Sequence, residues 1–295
     1  MLQRDGYIPG VPCWVDTSQP DPDAAVAFYS GLFGWEFEDM MPPGAPGKYF
    51  IARLGGGDVA AVSSPPQDGP ATAMWNTYIW VQSADEAASR VRDAGGRVLT
   101  EPFDVMRAGR MAVVADREGA TFCLWEAGEH KGARIVNEPG SLNFNGLNTR
   151  DVQAAKAFYG SVFGWETLDL GGVPAMWTLP GYGEFLEQRD PGLRASMAET
   201  GAPEGFADVV AAIDPVTGDH ADTPMQWSVT FAVDDADATA SRAAQLGGQV
   251  LVAPFDAPWV RMTVIADPQG ATFIASKFVP ANQDLGNHTP STAAA

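Results

Sequence analysis

On a β-strand, side chains two residues apart share a face. In the strand-like run PCWVDTS this sets Asp16 beside Trp14. In WNTYIWVQ it groups Asn76, Tyr78 and Trp80, and in TFCLWE it pairs Cys123 with Trp125. A carboxylate held among aromatic rings has its charged form disfavoured and can act as a general base, so Asp16 is the candidate catalytic residue. Arg110 and Arg261 recur at matched positions. A guanidinium there suits an anionic ligand or a structural salt bridge with the many acids. No Ser–His pair and no phosphate-binding glycine loop occurs, and Gly55–Gly57 reads as a turn.

The elements that must position these groups are written twice. AFYSGLFGWE at Ala27–Glu36 returns as AFYGSVFGWE at Ala157–Glu166, 130 residues later. VQSADEAASRVRDAGG at Val81–Gly96 returns as VDDADATASRAAQLGG at Val233–Gly248, 152 residues later. EPFDVMRAGRM is echoed by APFDAPWVRM, and DREGATF by DPQGATF. Repeats this long indicate domain duplication, not a solenoid. The growing offset places an insertion in the second copy, within Glu184–Thr223. Asp21 before Pro22 reads as a helix N-cap, and Gly34 as the stop. FGWE is therefore a helix end turning into a strand, with aromatics that pack helix on sheet. Short strands follow (EFEDM, KYFIARL, DVAAVS). A second cycle then runs from WNTYIWVQ through the helix ADEAASRVRDA, ended by Gly95 and Gly96, to RVLT, RMAVVAD and TFCLWE. Each copy is thus two strand–helix–strand–strand–strand modules. The expected organisation is a first domain over 9–127, a linker over 128–141, a second domain over 142–279 and a disordered tail over 280–295.

With 18 basic and 37 acidic residues the formal charge is −19, the wrong sign for a groove that tracks phosphates, so no nucleic-acid partner is expected. No apolar run approaches the length of a membrane span, and MLQRDGYIPG lacks a signal-peptide core, so the expectation is a cytoplasmic chain with no membrane partner. The two cysteines, Cys13 and Cys123, are expected as free buried thiols.

This organisation resembles the vicinal oxygen chelate superfamily, which includes glyoxalase I, extradiol dioxygenases and bleomycin-resistance proteins. The motifs that carry the resemblance are D-x-x-x-A-x-x-FY-x-x-x-FGWE in both copies, V-x-x-A-D-x-A in the second half-copies and D-x-x-G-A-T-F before each last strand. It covers about residues 9–279. It implies an α+β fold of tandem glyoxalase-like domains, each of two βαβββ modules curling into a cup-shaped sheet. It also implies a divalent metal held by His or Gln on the first and fifth strands and by Glu on the fourth and eighth. Carried over, the first-strand position falls on Trp14 and Phe144, the fifth on Asn76 and Ser228, and the eighth near Cys123 and Ile274. The fourth strand DVAAVSS offers no carboxylate on its inner face, and Glu184 and Glu187 flank its second-copy counterpart. Trp, Phe and Ile cannot coordinate, and Asn76 with Cys123 would make only half a site with the other two corners missing, so no metal cofactor is expected. His130, His220 and His288 fall in the linker, the insertion and the tail, away from the cup strands. A lone loop histidine such as His220 is more often solvated than a ligand.

If the family positions point inward, the first cup is lined by Trp14, Tyr78, Trp80 and Trp125, with Asp16, Asn76 and Cys123 among them. Aromatic walls with a few fixed polar groups suit a small-molecule pocket. The alternative is a closed aromatic core. Arg110 is added as a candidate ligand contact. The second cup, with Phe144, Ser228, Thr230, Ile274 and Gly146 in place of Asp16, reads as scaffold.

The functional expectation is a metal-independent protein that binds a small aromatic or apolar metabolite. The alternative is a glyoxalase-like lyase or hydroxylase-type tailoring enzyme, possibly with an unorthodox metal site, and a collapsed scaffold is a third reading. The partner expected is a small-molecule ligand, on a pseudo-twofold monomer or a homodimer. Whether a cup forms within one copy or between two is left open by the sequence.

Overall fold

In the computed structural model, residues 3–65, 72–169, 175–216 and 223–287 are described. The first copy runs β1 (Pro12–Ser18), α1 (Pro22–Phe33), β2 (Glu36–Asp39), β3 (Tyr49–Leu54), β4 (Gly57–Ser63), β5 (Met74–Trp80), α2 (Ala84–Asp93), β6 (Arg97–Val105), β7 (Gly109–Ala115) and β8 (Thr121–Ala127). The second runs β9 (Leu142–Thr149), α3 (Val152–Phe163), β10 (Glu166–Leu168), β11 (Met176–Thr178), α4 (Tyr182–Arg189), α5 (Leu193–Glu199), β12 (Val209–Pro215), β13 (Trp227–Ala232), α6 (Ala236–Gln245), β14 (Gln249–Ala257), β15 (Val260–Ala266) and β16 (Thr272–Phe278). The two sheets have eight strands each and the same order, β2-β3-β4-β1-β5-β8-β7-β6 and β10-β11-β12-β9-β13-β16-β15-β14. In the first, β1 and β5 pair antiparallel at the centre, and each pairs parallel with the last strand of its own module. Every strand of a sheet comes from one copy, so each cup forms within a copy.

The repeated words dictate local structure as expected. Asp21 and Asp151 cap α1 and α3 by accepting from Ala24 N (3.0 Å) and Ala154 N (2.9 Å). Gly34 and Gly164 end those helices with φ of 71° and 74°, a conformation glycine adopts without a Cβ penalty. The same words also reach across to the other copy. The Trp35 indole donates to Gly140 O at 2.7 Å and the Trp165 indole to Gly10 O at 2.8 Å, each at the entry to the opposite copy's first strand. Helix α1 wedges between its own sheet and Phe231, Ile265 and Phe273 of the second copy. Helix α3 does the same against Phe122 of the first. The outer faces meet at the centre, where Asn145 Nδ2 donates to Thr77 Oγ1 at 2.8 Å.

Three segments depart from expectation. The insertion folds as α4 and α5 between β11 and β12, so Glu184 and Glu187 lie on or beside a helix and not on the fourth strand. Glu187 accepts from Gly192 N and Arg194 N and so tethers the start of α5. Pro280–Asn287, expected to be disordered, forms a 3-10 helix, with Asn282 donating to Val260 O and Asp256; residues 288–295, with His288, lie outside the described residues, as does His220. The linker is built into the first domain: Ala133 N donates to Cys13 O (2.8 Å) and Arg134 N to Asp58 O (2.7 Å).

Replacing Trp35 or Trp165 with Phe keeps a six-membered aromatic ring but removes one buried hydrogen bond and some buried volume, leaving a carbonyl unmet. Each variant is expected to lose about 1–2 kcal/mol of stability by urea denaturation. A loss at one position and none at the other would contradict the matched geometry.

Candidate functional site

Strand register brings the expected first-cup residues together. Trp14 pairs with Tyr78, Asp16 with Asn76, Tyr78 with Cys123, and Trp80 with Trp125. Asp16 lies at the floor, only 2% exposed. Its Oδ2 accepts from Tyr78 OH at 2.6 Å and Tyr49 OH at 3.3 Å, and its Oδ1 from Asn76 Nδ2 at 2.8 Å. The Trp14 indole donates to the Tyr49 hydroxyl at 3.1 Å. Burial raises the Asp16 pKa, and the bonds from Tyr78, Asn76 and Tyr49 pull it back. Sequence reasoning passed over Tyr49, although the alternation in KYFIARL on β3 carried the signal.

A second contributor comes from the linker. The His130 ring stands edge-on to Trp14, centroids 4.4 Å apart, while its backbone carbonyl accepts from the Trp125 indole at 3.1 Å. Burial lowers its pKa and favours the neutral imidazole. The expectation that no histidine approaches the cups is corrected for His130. Trp80 lies nearer the rim, its ring 6.0 Å from Tyr7. Arg110 is not in the cup. The β7–β8 register sets Met111 beside Trp125 and Val113 beside Cys123, so Arg110 projects from the other face. There it donates to Asp85 at 2.7 Å and Asp104 at 2.9 Å. Arg261 repeats that pairing with Asp237, which corrects the anion-binding expectation. Cys13 and Cys123 are free and buried, as expected, and burial pushes both thiols up.

The first cup is filled by its own side chains. Trp14, Asp16, Tyr78, Cys123 and Trp125 are all buried, and Ala61 beside Asp16 is fully so. The second cup differs at most of the matched places. Phe144, Ser228, Ile274 and Ala212 are only partly buried. Gly146 replaces Asp16, and the cleared space is taken from the neighbouring strand. A Cβ built on Gly146 would collide with Asp214 Oδ2 and lie 2.8 Å from Ser228 Oγ. Asp214 stands on β12, the true fourth strand of this copy, and was missed because the insertion displaced that strand from its expected place. Ser228 turns its hydroxyl to Gly146 O at 3.2 Å. Among the described residues no donor lies within hydrogen-bonding distance of the Asp214 carboxylate. Burial alone lifts its pKa from 3.8 to about 6.

The metal that the fold implies finds no donor set here. At the family's positions stand Trp14, Asn76 and Cys123 in one cup and Phe144, Ser228 and Ile274 in the other. The fourth-strand residues beside Asp16 and Gly146 are Ala61 and Ala212. Indole, phenyl and alkyl groups cannot coordinate, and among the described residues no three His, Cys, Asp or Glu side chains gather to hold an ion.

Tandem cups of paired βαβββ modules define a class, and the comparisons agree with it. The model of the Glyoxalase/Bleomycin resistance protein/Dioxygenase superfamily matches residues 14–124 and again 140–274, and the chain belongs to that superfamily. It is 39% identical over 288 residues to CFP32 of Mycobacterium tuberculosis (strain CDC 1551 / Oshkosh), whose assignment as a glyoxylase is itself provisional; the match covers 95% of this chain and 99% of that one. It is 35% identical over 280 residues to the anthracycline biosynthesis protein DnrV of Streptomyces peucetius, covering 90% and 93%. Among solved structures, the Mn(II)-bound glyoxalase from Novosphingobium aromaticivorans superposes with a TM-score of 0.58 at 17% identity, over 91% of this chain and 82% of that one, a likeness of fold. Among the described residues no helix is long and apolar enough to cross a membrane.

The two floor carboxylates should answer substitution oppositely. Asp16→Ala leaves the buried Tyr78 hydroxyl and the partly buried Tyr49 and Asn76 donors without their carboxylate and is expected to cost about 2 kcal/mol or more. Asp214 carries a raised pKa in the folded chain, so its folded form keeps a proton that the unfolded form has lost. Its contribution to stability therefore falls as pH rises from about 4 to about 6. Asp214→Asn removes that penalty. The stability of the variant minus that of the parent should grow by about 1–3 kcal/mol between pH 4 and pH 7.5 in urea titrations. A difference independent of pH would show that the carboxylate is not desolvated.

Proposed function

We propose that this chain is a metal-independent small-molecule-binding member of the superfamily, and that it takes an aromatic or apolar metabolite in its second cup. The observation that carries this reading is the exchange of side chains at the matched positions. In neither cup do the places where the family holds an ion carry a full donor set. At those places and on the adjoining fourth strand, Phe144, Ser228, Ile274 and Ala212 are all partly uncovered in the second cup, whereas in the first Trp14, Cys123 and Ala61 are buried and only Asn76 is partly uncovered. Its lining of Phe144, Ile274 and Ala212, interrupted by Ser228 and Asp214, has the composition of a pocket for a mostly apolar ligand oriented by few polar contacts. The involvement of DnrV in anthracycline biosynthesis supports a polycyclic aromatic ligand class. The first cup, where the sequence alone put the ligand, then serves as a rigid half that holds its neighbour in place.

An enzymatic reading, a lyase or a hydroxylase-type tailoring step, is favoured by one feature. A carboxylate with a pKa near 6 is suited to general-base work at neutral pH. It requires turnover of the bound compound, and binding alone does not.

The test uses 1-(propylamino)anthraquinone as the probe, followed by its own fluorescence and by thermal shift, with and without EDTA and with added Mn(II). Saturable binding unchanged by EDTA or Mn(II) is the expected result. At 100-fold excess over Kd the ligand adds about 2.7 kcal/mol to the folded state. Binding that appears only with the metal would sink the proposal.

A further inference from the structure

Each cup keeps one carboxylate on its floor, but the two are held from different strands and meet different company. Asp16 comes from β1 and is closed off by Tyr78, Asn76 and Tyr49. Asp214 comes from β12 and enters the same spot over Gly146. The positions of two of Asp16's donors, Asn76 and Tyr78, are taken by Ser228 and Thr230, shorter side chains that do not bond to Asp214. Asp214 is half-buried, and a carboxylate that has lost part of its hydration gains from a hydrogen-bond donor. Among the described residues nothing bonds to Asp214, so its oxygens are open to a donor that a bound molecule brings in place of water.

A roof lies over this floor. Residues after α5 cross from the β14–β15 wing of the sheet to its β10 edge. A Cβ on Gly205 would sit 3.7 Å from Leu168 on β10. One on Gly201 would sit 3.3 Å from the Trp259 ring and 2.9 Å from Gln283 Oε1. Trp259 occupies the β14–β15 turn and stacks on Phe278, planes 2° apart and centroids 6.4 Å apart. Phe278 shares its strand face with Ile274, so this aromatic pair stands at the rim of the second cup. The first copy has no such segment, since only a two-residue turn joins its β3 and β4.

We infer that Asp214 is the anchor of the second cup: it accepts from an ammonium group carried on an aromatic or apolar ligand, whose body lies between the cup wall and the roof of the insertion and Trp259. This deepens the small-molecule reading above and rests on it. An ammonium suits the site because it brings both the missing donor and the charge that balances the carboxylate.

The test compares two probes that differ in one group, 1-(3-aminopropylamino)anthraquinone and 1-(propylamino)anthraquinone, titrated at pH 7.5 and 150 mM salt against the full chain and against Asp214→Asn. The parent is expected to bind the ammonium probe at least tenfold more tightly than the neutral one. Asp214→Asn should lose that preference and keep its affinity for the neutral probe, which also shows that it is folded. Gly146→Ala, which crowds the carboxylate out of its place, should weaken the ammonium probe more than the neutral one. Equal affinities in the parent, or a preference that survives Asp214→Asn as general attraction to a chain of charge −19 would, overturn the assignment and leave the binding function standing. Failure of both probes to bind the parent would overturn the binding function and the assignment together.

Discussion

Two buried tyrosine–aspartate bonds hold this molecule in its form. Tyr29, from the first FY word, donates to Asp267 of the second copy at 2.9 Å, and Tyr159 donates to Asp116 of the first at 3.0 Å. Each aspartate opens the D-x-x-G-A-T-F word. Asp116 also gathers the backbone N–H groups of Glu118, Gly119 and Ala120, and Asp267 those of Gln269 and Ala271. Burial raises the Asp116 pKa against those bonds, so the arrangement holds only while the donors stay in place. The repeated words therefore describe neither domain alone. The first word of one copy is read by the last word of the other, and the aromatic clusters around Tyr29 and Tyr159 fill in behind those bonds.

That reciprocity explains how much could be read beforehand. The duplication, the module order, the helix caps and the inner face of the first cup all follow from local pattern, because strand alternation and helix capping are set by near neighbours. Whether a cup mixes copies does not follow, since it is settled by β-pairing across long stretches of chain. Asp214 escaped because a residue on one strand took over the space vacated by Gly146 on another, an exchange visible only in three dimensions. His130 escaped because linkers are read as tethers. Arg110 was within reach: one more step of parity from Cys123 through Val113 puts it on the outer face.

The two cups show how one scaffold divides its obligations. In the first, aromatic side chains and a carboxylate bonded by Tyr78, Tyr49 and Asn76 occupy the place where the fold family holds an ion, and the result is a densely filled half. The second has less side-chain volume at Gly146, Ser228 and Thr230, where the first has Asp16, Asn76 and Tyr78, and holds a half-buried carboxylate from another strand. Sites that trade stability for an unmet polar group are where function is most often found. A rigid first half lets the second carry such a defect without losing its shape.

The connecting segment adds a last constraint. Tyr7 OH donates to Ala133 O at 2.7 Å, Arg4 N to Arg134 O at 2.8 Å, and Ile135 is 1% exposed. The join between the copies has become an internal part of the first barrel, stitched between the N-terminal ends of β1 and β4. A chain cut inside this seam would deprive the first copy of part of its own structure, because the seam belongs to that copy. Fusion here is a one-way step: what began as a hinge between equals has been absorbed into one of them, and the symmetry of the pair is broken at its point of origin.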